Sequence, residues 1–187
     1  HNSFFKNNTG KKVFTVRAGN VIGGGDWSPD RIIPDCIRAL ESDREMVIRN
    51  PASVRPWQFV LEPLSGYILL MARAVNNESL QHLAWNFGPW YDSHISVEDI
   101  VRKIICRYRK SNYPIKAVAS EKQESRLLFL DFSQAVKELN WKPVFTIDEC
   151  ADLTVSWYKT YKDTKVDELC FQQINEYTRK WNSQNNP

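Results

Sequence analysis

A run of three glycines, Gly23 to Gly25, closes the stretch Arg17-Ala-Gly-Asn-Val-Ile-Gly-Gly-Gly-Asp-Trp27 and constrains the fold more than any other feature of the 187 residues. The residues before it, Lys12 to Val16, are β-branched and aromatic, the signature of a buried strand. The residues after it change to a helical hydrophobic period. Three glycines continue neither element, so the chain must turn there, or a ligand must come close to the main chain. Asn20 then falls just past the end of a strand, where open α/β sheets bind their ligands. A flexible turn with no ligand satisfies the same residues.

Short strands and helices alternate along the rest of the chain. Arg31 to Glu41 reads as a helix with Ile33, Ile37 and Leu40 on one face. Met46 to Arg49 is a short strand ended by Asn50-Pro51, and Ser53 to Val60 is extended because the residue before Pro56 avoids helix. Pro63 to Asn76 is a helix with Leu64, Ile68, Met71 and Val75 as its apolar stripe. Ala84 to Gly88 reads as another buried strand. Ser96 to Asp99 and Thr146 to Glu149 have the spacing of capping boxes and open helices to about Arg109 and Lys159. Ile115 to Ala119 and Leu127 to Leu130 read as strands, Ser133 to Leu139 as a helix, and Val166 to Trp181 as a final amphipathic helix with a frayed polar tail. The alternation predicts an α/β or α+β arrangement. The sheet is incomplete, because the strands before residue 120 are too few for a doubly wound one.

Composition narrows the function. The chain is 42% hydrophobic and 25% charged, with 25 basic and 22 acidic residues, a balance too even to argue for nucleic acid. Tyr67 to Ala74 is its richest apolar run, far short of a membrane span. The four cysteines, Cys36, Cys106, Cys150 and Cys170, are scattered. They support neither zinc nor a disulfide framework and read as reduced, mostly buried thiols of a cytoplasmic protein. No signal segment opens the chain.

The residues with chemical potential each carry a plain alternative. Arg55, beside Trp57, is suited to a bidentate phosphate contact, and equally to covering the indole face. Arg49 is a weaker second cation. Asp26, Asp30, Asp35 and Glu62 read as helix caps and loop solvation, whereas Glu121 and Glu124 precede a strand and suit either a ligand hydroxyl or a charged loop. His1, His82 and His94 assemble neither a metal site nor a serine triad. Tyr158 with Lys162, and Tyr161 with Lys165, repeat the Tyr-x-x-x-Lys spacing of short-chain dehydrogenases. So near the end of the chain they are expected to form an ordinary exposed helix face. None of the seven glycines is spaced as GxGxxG or GxxGxxG, and Asp26 to Pro29 separate the glycine run from the next helix.

Several segments taken together resemble one family. They are Arg17 to Trp27, Asp30-Arg-Ile-Ile-Pro-Asp35, Ile48-Arg-Asn-Pro51, Arg55-Pro-Trp-Gln58, Val60-Leu-Glu-Pro-Leu-Ser-Gly-Tyr67 and Trp85-Asn-Phe-Gly-Pro89. They closely resemble CDP-glucose 4,6-dehydratases, extended short-chain dehydrogenases/reductases that act on sugar nucleotides. Related enzymes carry Arg-Asp-Trp or Arg-Asp-Tyr where Arg55-Pro-Trp57 stands here. The resemblance covers the C-terminal half of such an enzyme. It implies an α/β fold, the last part of an NAD(P)-binding Rossmann-like domain at 1–27, and a small sugar-nucleotide-binding domain over 28–187, with 84–89 returning to the Rossmann sheet. It places the Gly-rich motif, the catalytic Tyr-x-x-x-Lys and the acid/base carboxylates in the other half, so no catalytic residue is expected in this chain and NAD would be bound mainly by that half.

The resemblance further implies that Asn20 contacts the sugar-phosphate, that Arg55 binds the pyrophosphate, and that Ile32, Ile33 and Pro34 line the nucleotide pocket with Arg49 nearby. Glu124 falls near a ligand-facing position, although relatives read Pro-His-Glu-Ala where this chain reads Lys-Gln-Glu-Ser. In the whole enzyme NAD takes hydride from sugar C4, water leaves across C5 and C6, and the hydride returns to C6. This lyase chemistry serves the deoxysugars of bacterial surface polysaccharide, including lipopolysaccharide O-antigen. The ligand expected from the resemblance is CDP-glucose, with no metal, no nucleic acid and no membrane. An unpaired sheet edge offers a route to homo-oligomers. Two other roles fit: a binding module partnering a separate Rossmann half, and an NAD-dependent epimerase or reductase of another nucleotide sugar.

Overall fold

The computed structural model describes residues 12–76, 80, 82–109, 113–118 and 125–185. In chain order the elements are β1 (Thr15–Ala18), β2 (Asn20–Ile22), α1 (Ile32–Glu41), β3 (Met46–Arg49), β4 (Val54–Phe59), α2 (Leu61–Val75), β5 (Ala84–Phe87), a 3-10 turn (Tyr91–Ser93), β6 (His94–Ser96), α3 (Val97–Arg109), β7 (Ile115–Val118), α4 (Ser133–Leu139), α5 (Ile147–Thr160) and α6 (Val166–Asn185). The strands form three small groups: β1 with β5, β2-β4-β6, and β3 with β7. All pairings are parallel except β4 with β6. The mixed α/β architecture is the expected one.

Local signals explain most of these elements. In α1 the residues Ile33, Ile37 and Leu40 are all buried, as the helical period requires. Ser96 and Asp99 exchange cap bonds at the start of α3, the Asp99 N–H donating to Ser96 Oγ at 3.0 Å. Thr146 and Glu149 complete a reciprocal capping box that opens α5. Asn140 closes α4 in the left-handed conformation at φ 54°, a role asparagine tolerates better than most residues.

Two hydrophobic clusters hold the fold. The larger joins α1, α3, α5 and α6 to β3 and β4 through Ile37, Leu40, Trp57, Phe59, Ile104 and Trp157. The smaller packs Leu70, Trp85, Phe87, Leu139 and Trp141 around β5. Gly66 of α2 lies on the Phe87 ring, where a Cβ would come within 2.2 Å of Cδ1. That close seat brings helix and strand together.

Several expectations are corrected. The first strand starts at Thr15, three residues later than expected, and it is exposed: Thr15, Val16 and Arg17 all face solvent. Among the described residues only β5 pairs with it, which leaves its other edge open. The expected stripe of α2 is also outside, with Leu64 43%, Ile68 67%, Met71 64% and Val75 72% exposed, because the helix instead turns Glu62, Pro63, Gly66 and Leu70 inward. Leu127 to Leu130 makes a single bridge, Val54 with Leu127, rather than a strand. The last helix continues through Asn185, past the expected fraying point. Only Cys36 and Cys150 of the four cysteines are buried.

Candidate functional site

A cleft of about 740 Å³ opens where β2, β3 and β4 meet the glycine run and the first turn of α1. Its walls follow from close backbone approach. At Gly19 a Cβ would lie 2.2 Å from the Pro56 carbonyl oxygen, so only glycine lets β2 come alongside β4 there. Gly25 adopts φ +81°, and Gly24 sits so tightly on Trp157 that a Cβ would come within 2.0 Å of the ring. The run thus serves the turn and helix packing as well as the cleft, which Gly23 and Gly24 line.

Asn20, Ile33, Arg49 and Arg55 all line this one cleft. Asn20 lies just past the end of β1, as expected, and also opens β2, where it pairs with Trp57. Ile33 adds an apolar wall. Arg55 is oriented by two carbonyls, its Nη1 donating to Val54 O at 3.0 Å and to Ser125 O at 2.8 Å. Arg49 stands on the outer face of β3, where its Nη2 donates to Asp30 Oδ1 at 3.2 Å. Glu124, with Glu121 and Gln123, lies outside the described residues.

The N-terminal turn of α1 also faces the cleft, and Arg31 at its N-cap supplies no side-chain bond to the first N–H groups. Such a helix end favours anions. Of the carboxylates around the rim, Asp35 pairs with Arg38, and Asp26 accepts the Ser28 N–H at 2.9 Å. Three arginines and a helix N-terminus beside Ile32, Ile33, Pro34, Val47 and Trp57 make a cleft suited to an anionic ligand with an apolar, flat part.

The sequence misjudged two residues, one of which braces the cleft's glycine loop. Tyr158, expected on an exposed helix face, is 2% exposed and donates to the Asp26 carbonyl at 2.6 Å, while Trp27 packs edge-on against its ring. Burial pushes its phenol up to about 12. Tyr158 is therefore a clamp on the glycine loop, and Lys162 points away to Glu41 at 2.9 Å.

Glu62, expected to solvate a loop, is 1% exposed. Its Oε1 accepts the Val144 and Phe145 N–H groups at 2.9 and 2.7 Å, and its Oε2 accepts the Tyr177 hydroxyl at 3.1 Å. Burial raises its carboxyl to about 7 against the pull of these donors and of Lys180. No local pattern betrays a carboxylate whose partners lie eighty residues downstream. A separate cavity of about 630 Å³, lined by Trp90, Tyr91, Phe129 and Phe132 among others, lies at the edge of β6.

The described residues do not fit a dinucleotide pyrophosphate. The glycine run does not open into a helix, since α1 begins only at Ile32, and the backbone at Gly24 is pressed onto Trp157. No group of three or more His, Cys, Asp or Glu side chains that could hold a metal occurs among the described residues, and no helix there is long and apolar enough to cross a membrane.

No family model matches the chain. Among curated proteins it is 40% identical over 164 residues to a CDP-glucose 4,6-dehydratase of Salmonella typhimurium, covering 86% of this chain and 46% of that protein. The chain is thus similar, over most of its length, to part of a sugar-nucleotide 4,6-dehydratase. A dTDP-glucose 4,6-dehydratase of Xanthomonas campestris pv. campestris is 26% identical over 166 residues, covering 83% and 45%. The chain thus spans about half the length of the curated relatives it matches. Solved sugar-nucleotide dehydratases and epimerases share its fold over their C-terminal halves. A UDP-glucuronic acid 4-epimerase of Bacillus cereus, in complex with UDP-glucuronic acid and NAD, superposes with TM-score 0.70 at 16% identity, over 85% of this chain and 48% of that one. A dTDP-glucose 4,6-dehydratase of Streptomyces venezuelae with NAD bound gives 0.70 at 18% identity, over 84% and 47%.

Proposed function

We propose that this chain is the sugar-nucleotide-binding portion of a CDP-glucose 4,6-dehydratase-like protein. The observation that carries the reading is the convergence of Asn20, Ile33, Arg49 and Arg55, four residues spread over β2, α1, β3 and β4, on one cleft. Arg55 neutralises the pyrophosphate with help from the N-terminus of α1, Asn20 bonds the sugar-phosphate end, and the nucleoside lies toward Ile33, Val47 and Arg49. The 40% identity to a CDP-glucose 4,6-dehydratase supports this choice of ligand. Glu124 remains a candidate ligand contact on the resemblance alone.

On this reading β1 and β5 belong to the dinucleotide-binding sheet, and residues 28–187 mainly to the ligand-binding part. NAD, and the groups that move hydride and proton, belong to the other half of the enzyme. The chain by itself binds without turning substrate over. Cytoplasmic deoxysugar synthesis for bacterial surface polysaccharide is the corresponding role.

Calorimetric titration with CDP-glucose tests the reading, with NAD as control. Binding of CDP-glucose, weakened at least tenfold in Arg55→Ala, is expected, with no 4-keto product when NAD is added. A correctly folded chain that ignores CDP-glucose refutes the site, and product formation refutes the division of labour.

A further inference from the structure

Three successive carbonyls of the glycine loop are each taken by a side chain from another element. The Tyr158 hydroxyl of α5 donates to Asp26 O at 2.6 Å. Arg38 of α1 takes the next two, its Nη1 donating to Trp27 O at 2.9 Å and its Nη2 to Ser28 O at 3.2 Å. The same guanidinium pairs with Asp35, one turn back on α1, which aims it at the loop. The Trp27 ring lies against Tyr158 and Tyr161, with centroids 5.1 and 5.4 Å apart. The loop is thus tied to α5 in its first part and hooked to α1 in its last.

Such a segment needs tying. Glycine loses more freedom on folding than any other residue, and Gly25, Trp27 and Ser28 are all exposed. Yet Gly23, Gly24, Asp26 and Ser28 line the cleft, and the loop leads into the N-terminal turn of α1 that faces it. When only a fraction of molecules holds the competent arrangement, apparent affinity falls by that fraction. Arg38 itself is not among the residues lining the cleft. Its ion pair is about one-third exposed and its two carbonyl partners lie at the surface, so it contributes little to the fold as a whole.

We infer that Arg38 is a positioning residue of the cleft, holding the glycine loop and the first turn of α1 in the arrangement that receives the ligand phosphates. The inference rests on the nucleotide-binding reading above. Loss of Arg38 acts in two ways: it frees Trp27 O and Ser28 O, and it leaves the Asp35 carboxylate, which lines the cleft, unpaired beside an anion. Combining Arg38→Ala with Asp35→Asn removes one charge of each sign and isolates the first effect.

Calorimetric titration with CDP-glucose, joined to amide hydrogen exchange, tests this in the wild type, in Asp35→Asn and in the double variant. The double variant is expected to bind about tenfold more weakly than the wild type. Its amides at 24–28 should exchange faster, with the interiors of α1 and α5 unchanged and the melting temperature within a few degrees. Asp35→Asn alone keeps both carbonyl bonds and should bind at least as well as the wild type. Wild-type affinity in the double variant, or unchanged exchange at 24–28, overturns the inference and leaves the nucleotide site standing. Faster exchange spread through α1 and α5 overturns it too, by making Arg38 a support of the whole fold. A folded wild type that ignores CDP-glucose overturns the site and the inference together.

Discussion

Glu62 makes the stability of this chain depend on pH in an unusual direction. Its carboxyl is raised from an ordinary 4.5 to about 7, chiefly by burial. Between those values the folded chain keeps a proton that the unfolded chain has released. The contribution is therefore fully present below pH 4.5 and is lost as pH rises through 7. At about 1.4 kcal/mol per pH unit, the gap amounts to roughly 3 kcal/mol, most of which falls between pH 5 and pH 8.

Glu62→Gln isolates this effect. The amide oxygen can still accept the Val144 and Phe145 N–H groups, and the amide N–H₂ can donate to the Tyr177 oxygen, which also bonds Ser65 Oγ at 2.7 Å. The variant thus imitates the protonated acid at every pH. In urea unfolding the wild type should lose about 2 to 3 kcal/mol relative to Glu62→Gln on going from pH 5 to pH 8. Parallel curves, within about 0.5 kcal/mol, would show that the two N–H donors keep the carboxylate ionised and would refute the reasoning.

Three further outcomes follow from packing. Gly24→Ala drives a methyl into the Trp157 ring and should cost about 1–3 kcal/mol in chemical unfolding, as overpacking does. Thr146→Ala removes the cap of α5 and should cost about 1 kcal/mol, read in the same way. Ile68→Lys combined with Met71→Lys should leave the melting temperature unchanged, since both side chains are exposed, yet reduce concentration-dependent association in sedimentation velocity. A wild type that stays monomeric at every concentration contradicts this last expectation.

How legible the molecule was depends on the range of the interactions involved. The capping boxes at Ser96 and Thr146, and the buried stripe of α1, are set by neighbours within a turn or two, and they appear where the residues place them. Helix α2 is apolar around much of its circumference, so periodicity alone does not choose its inner face. The choice comes from Gly66 against Phe87, twenty-one residues apart. Tyr158 and Glu62 were misjudged for a similar reason: their partners, Asp26 and the Val144-Phe145 backbone, lie far along the chain. The cleft residues were reached through a resemblance to whole sequence segments. Their charges and spacing alone left each with an ordinary alternative.

The contact between Gly24 and Trp157 also bears on how this chain can vary. The floor of the cleft is cast against a helix more than a hundred residues away, with Tyr158 pinning the loop from the next position. A side chain can appear at position 24 only if position 157 shrinks in step. The two sites should drift through a lineage as a correlated pair, and neither records its own history alone.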